Sequence, residues 1–178
     1  MSRVLRPAVI LFTLLLLQLA LFSELRLSGR APDVLLVAAI ASGLTGGPNR
    51  GALTGFVGGL ALDLFLPTPF GLSALAYSVA GWAVGQPEHA IVGEHPWIVI
   101  PLTAGGSAIG IGMFVTVGEL LGQPNLYTDR FLRTIIVTSL YNAVLGWPIA
   151  RAWRWVWAPP GFGPSDRPRD RASRSVVN

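Results

Sequence analysis

No cysteine occurs in the chain, which excludes disulfides, thiol nucleophiles and thiolate metal sites and says nothing of redox compartment. Histidine is nearly absent: His89 and His95 are the only 2, too few to favour an imidazole-based metal site. Charge is scarce. Asp, Glu, Lys and Arg make up 12% of the chain, against roughly 25% in soluble domains. Another 52% is hydrophobic, so a soluble fold of 178 residues would lack polar surface. Lysine is missing altogether. All 13 basic residues are Arg, which points to GC-rich coding more than to chemistry, and against 9 acidic residues they give +4. What these absences leave is a polytopic membrane protein. They disfavour most enzyme classes and identify no function.

The charges cluster, and long apolar stretches separate them. Pro7 to Phe22 follows Arg3 and Arg6 as a signal peptide would. No small-x-small cleavage site comes after it, so a retained first helix is the better reading. A second segment, Val34 to about Leu44, is short for a span of ~20 residues. Pro32-Asp33 starts it, with Asp33 placed to cap free amides, and Gly46-Gly47-Pro48-Asn49 turns the chain after it. It reads as a short, tilted or broken span buried among the others. Gly51–Leu66, Gly71–Gly85, Trp97 to about Leu121, and Phe131–Trp157 complete the set. The expected fold is an all-α, polytopic membrane helical bundle over residues 1–157 with about six transmembrane helices, or five if the second segment is re-entrant.

Arginine placement sets orientation. With six spans, one side holds Arg3, Arg6, Arg50, Arg151, Arg154 and the four Arg of the C-terminal tail; the other holds Arg26, Arg30, Arg130 and Arg133. Both termini are therefore expected in the cytoplasm. Trp147, Trp153, Trp155 and Trp157 fall where the last helix leaves the bilayer, as an aromatic belt would. Residues 158–178 are rich in Pro and Arg and have little to bury, so a disordered cytoplasmic tail is expected. A solvated tail is preferred over one drawn to anionic lipid.

Gly47, Gly51, Gly55 and Gly59 recur every four residues. In lipid, small residues let helix backbones approach closely. The stripe serves either packing inside this chain, the preferred reading, or docking of another membrane protein. Asp63 continues the spacing, and an ionisable group inside an apolar run is a functional candidate by default. It sits near the helix end, where it can cap the Pro67–Phe70 turn or the helix beginning at Gly71, or pair with an Arg. Capping or pairing outranks an ion or proton pathway. Glu119 reaches the interface or faces Asn142 or Arg133. Gln18 and Asn142 read as interhelical hydrogen-bond formers.

Several tempting motifs fail. Gly43–Gly51 lacks GxxxxGK[ST] and is no phosphate loop. No serine sits in G-x-S-x-G. Glu88, His89, Glu94 and His95 share a loop without H-E-x-x-H spacing, so a metal there is disfavoured. No paired carboxylates suggest acid–base work. No enzyme activity, cofactor or nucleic-acid partner is expected.

The stretch from Pro32 to Gly85 resembles a known family. It carries Pro32-Asp33-Val34-Leu35-Leu36, then Arg50-Gly51, then Gly55-Phe56-Val57-Gly58-Gly59-Leu60-Ala61-Leu62-Asp63-Leu64. Pro69-Phe70-Gly71-Leu72 and Ala74-Leu75-Ala76-Tyr77 follow, with Gly81 and Gly85. This series is similar to MreD, the rod shape-determining membrane protein of bacteria. The resemblance implies a non-enzymatic component of the cell-elongation machinery in the inner membrane, organising lateral peptidoglycan synthesis. Implied partners are an MreC-like single-span protein, MreB-like actin, a RodA-like glycosyltransferase and a class B penicillin-binding protein. The implied fold is similar to the substrate-binding subunits of energy-coupling-factor vitamin transporters. Asp63, Asp33 and Arg50 match the family pattern's acids and basic loop residue. The Arg-rich tail goes beyond that pattern.

Bottom-up, a small bundle with Gly-lined surfaces suits a protein that docks a partner's transmembrane helix. The alternative is a substrate-binding membrane subunit of a vitamin or small-molecule transporter. Its pocket would draw on Asp63, Glu119, Gln123, Asn125, Tyr127 and Asp129.

Overall fold

The computed structural model describes residues 2–20, 32–86, 96–123 and 131–157. Among them are six α-helices and no strand: α1 Ser2–Ala20, α2 Val34–Gly46, α3 Pro48–Asp63, α4 Leu72–Val84, α5 Val99–Leu120 and α6 Phe131–Trp157. A short 3₁₀ turn, Pro96–Ile98, leads into α5. Each expected apolar segment corresponds to one helix. The third begins earlier than the expected Gly51, because Pro48 at the first helical position lacks only a donor that has no partner there anyway.

Helix α2 is the centre of the bundle. It is apolar all round, and every residue from Val34 to Leu44 is buried. Its 13 residues span only about 20 Å, less than the ~30 Å of a hydrocarbon core. Packing inside protein is what such a helix can satisfy. The core gathers around it from Leu62, Tyr77, Ala80, Val99, Ala150 and Trp153. Among the described residues, only α5 is both long and apolar enough to cross a membrane by length and composition. Apolar stretches of α1, α2 and α4 are shorter.

Outward faces carry large apolar side chains. Leu5, Val9, Phe12 and Leu16 line one exposed face of α1, and Leu132, Ile136, Leu140 and Val144 one exposed face of α6. These rows follow helical spacing, so they are continuous stripes and not scattered residues. Such stripes fit lipid as the surrounding solvent.

Two glycines shape the turns. Gly47 (φ 94°) closes α2 and opens α3, and Gly71 (φ 94°) precedes α4. Positive φ is costly for other residues. The resulting α3–α4 hairpin lies back to back. A Cβ on Gly51 would sit 2.7 Å from the Gly81 carbonyl carbon, and one on Gly59 2.5 Å from the Ala74 nitrogen. The Gly stripe is thus filled by α4. It offers no open face to a partner helix, and the docking alternative for it is corrected: close backbone approach inside this chain consumes it.

The bundle has two unlike ends. The Arg6 guanidinium lies 4.9 Å over the Trp155 ring, and the Arg50 guanidinium 4.4 Å over that of Trp157. This brings the start of α1, the start of α3 and the end of α6 together at an Arg-rich end. Asp33 and Asp63 lie at the opposite end. The tail 158–178, the Glu88–His95 loop, Arg26, Arg30, Arg130, Asn125, Tyr127 and Asp129 lie outside the described residues.

Candidate functional site

Asp33 precedes α2, where its carboxylate faces amides that have no helical partner. Leu36 N–H donates to Asp33 Oδ1 at 3.0 Å. The other oxygen, Oδ2, accepts from the Tyr77 hydroxyl of α4. The Asp33 amide itself donates to Asn142 Oδ1 of α6 at 3.0 Å. Asn142 Nδ2 in turn donates to Ser107 Oγ of α5 at 3.0 Å. Gln18 of α1 accepts from Val34 N–H at 2.9 Å and donates to the Pro32 carbonyl at 3.3 Å. Five helices therefore meet at the first residues of α2 through one chain of hydrogen bonds. Asn142 and Ser107 are fully buried. In a low-dielectric interior such a chain is strong when satisfied and costly when broken.

Asp63 forms a second node. Its carboxylate accepts from the amides of Gly71 at 2.9 Å, Ser73 at 3.2 Å and Ala74 at 3.3 Å. It ends α3 and caps α4 across the intervening loop. Arg50, by contrast, is exposed in the first turn of α3, over Trp157. Asn142, one suggested partner for Glu119, is taken up by Asp33 and Ser107. Glu119 is half-buried near the end of α5.

Beside the first node is a cavity of about 300 Å³, lined by Gln18, Asp33, Leu36, Leu62, Leu66, Ser73, Tyr77, Gly110, Ile111, Phe114, Thr134 and Thr138. Of the outer residues expected to build a pocket, Asp63, Glu119 and Gln123 are not among them. Asp63 is turned into the α4 cap instead. Tyr77 and Ser107 carried no role in the sequence reading. Tyr77 stands in a run of small residues and Ser107 in a Gly-rich helix, and neither spacing points to Asp33. Among the described residues, no group of three His, Cys, Asp or Glu converges as a metal site would need. Chemically, the arrangement clamps helices: its acceptors are aimed at amides and hydroxyls of the chain itself.

A family model described as the rod shape-determining protein MreD matches residues 2–154. The chain belongs to the MreD family. Both polar nodes, the Gly stripe and nearly all of α6 fall within the matched stretch; the Arg-rich tail falls beyond it. MreD membership assigns a role in rod-shape determination, in a family of structural membrane proteins. No curated protein and no solved structure matches the chain.

Proposed function

We propose that this MreD-family protein is a multi-pass scaffold of the bacterial inner membrane that maintains cell shape by holding partners of the cell-elongation machinery in place. The observation that carries this reading is the family match over residues 2–154. The site geometry supports it: the buried polar groups of both nodes are spent on tying helices together. The Arg-rich end faces the cytoplasm, as basic residues favour. The partner is an MreC-like single-span protein, and through it MreB-like actin, a RodA-like glycosyltransferase and a class B penicillin-binding protein organise lateral peptidoglycan synthesis. With α4 seated on the Gly stripe, a partner helix is left the outward rows of α1 and α6. Packing, not hydrophobic transfer, would hold it there.

The test is complementation. A rod-shaped bacterium depleted of its own MreD-family protein rounds up, and expression of this chain restores rods on this reading. Cells that stay round despite membrane insertion of the chain contradict it.

One observation favours a second reading, a substrate-binding transporter subunit: the 300 Å³ cavity with Asp33, Tyr77 and Ser73 on its wall. Pockets of such size hold small ligands. Thermal stabilisation of the purified protein by one member of a vitamin panel is the result that would favour it.

A further inference from the structure

A second cavity, of about 340 Å³, opens between α1, α3 and α6 at the Arg-rich end. Its walls are Pro7, Ala8, Leu11, Leu53 and Val57, and its mouth is Arg50 and Trp157. The volume is at the lower end of ligand pockets, ~300–1,000 Å³. The exposed polar group at the mouth is a donor. Arg50 is exposed and presents a guanidinium over the Trp157 ring. The Trp157 indole N–H is buried and has no hydrogen-bond partner among the described residues. It lies against Gly46 and is closed to solvent, so Arg50 is the donor the groove presents. Gly46 makes the pairing possible: a Cβ there would lie 2.7 Å from Arg50 Cδ and 2.8 Å from Trp157 Nε1.

An acceptor that is anionic, sits at a membrane interface and continues into an apolar body meets all of these conditions. We infer that this groove binds one anionic phospholipid, its phosphate held by the exposed Arg50 guanidinium over the Trp157 ring and an acyl chain lying along Leu11, Leu53 and Val57. Guanidinium and phosphate make charge-assisted, paired hydrogen bonds. The Trp157 ring fixes where that guanidinium stands. Thr54, also on the wall, is already committed to Ser42 Oγ at 2.8 Å. The site lies at the end of the bundle away from the Asp33 node.

The test uses the full chain in detergent, with native mass spectrometry counting bound lipid against phosphatidylglycerol, phosphatidylcholine and inorganic phosphate. One phosphatidylglycerol is expected to bind, with phosphatidylcholine at least about tenfold weaker. Arg50→Gln should weaken phosphatidylglycerol about tenfold, the equivalent of one charge-assisted hydrogen bond. Trp157→Leu, which removes the ring under the guanidinium, should weaken it about threefold. Gly46→Ala should do so by parting the two side chains. Arg151→Gln, an exposed cation outside the groove, should leave binding unchanged. Equal loss in Arg151→Gln and Arg50→Gln would reduce the site to diffuse attraction and overturn the inference. So would phosphatidylcholine binding as well as phosphatidylglycerol, or inorganic phosphate binding alone as tightly as the lipid.

Discussion

Substituting Gly55 by Ala is the sharpest probe of the α3–α4 contact. The new Cβ would meet the Tyr77 carbonyl and lie 2.7 Å from the Ser78 nitrogen. Both are backbone atoms of a helix, so no rotamer change relieves the clash. The helices must separate, and every close contact along the stripe from Gly51 to Gly59 loosens with them. Overpacking of this kind costs about 1–3 kcal/mol. Helix propensity works the other way, since Ala exceeds Gly by up to about 1 kcal/mol. Gly112→Ala in α5 isolates that opposing term, because a Cβ there meets nothing within 4 Å. Thermal unfolding in one detergent should therefore place Gly55→Ala clearly below wild type and Gly112→Ala at or above it. Two variants that melt alike would refute the close-packed hairpin.

Four further outcomes follow from the nodes and the bundle's ends. Asp63→Ala should destabilise by about 2–3 kcal/mol by stripping three amides of their acceptor, while Asp63→Asn should lose less because one oxygen remains; equal stability of both variants to wild type in denaturant titration would count against the cap. Asn142→Leu should cost about 1–2 kcal/mol, since it unpairs both the Asp33 amide and Ser107. Tyr77→Phe and Asp33→Asn should be non-additive in a double-mutant cycle, because they share one hydrogen bond; simple additivity would mean the two groups do not interact. A reporter fused to the C-terminus should be active only in the cytoplasm, and periplasmic activity would reverse the orientation.

The helices were legible because Pro, Gly and charged residues break the apolar runs where the chain turns. Asp33 and Gly47 bounded α2 as capping chemistry predicts. The Asp63 cap was within reach of sequence reasoning, since only a few residues separate it from Gly71. The Asp33 node was not. Its partners are neutral or aromatic and far apart along the chain, Asp33 and Asn142 by 109 positions, so no local spacing reveals them. The Gly stripe was visible as a surface but not its occupant. Small residues on α4, Ala74 and Gly81, fit it only once the hairpin places them opposite. The cavity eluded the sequence for the same reason: it is lined by residues from several helices, whereas the expected pocket was drawn from acids and amides near the loop ends.

The central claim is that this bundle acts by holding another membrane protein. Affinity purification of the tagged full chain from its own bacterial membranes in mild detergent, with mass spectrometry of what accompanies it, tests that most directly. The account predicts an MreC-like single-span protein in near-stoichiometric amount. Purification of the folded chain without any elongation-machinery protein, from membranes that contain them, would contradict it.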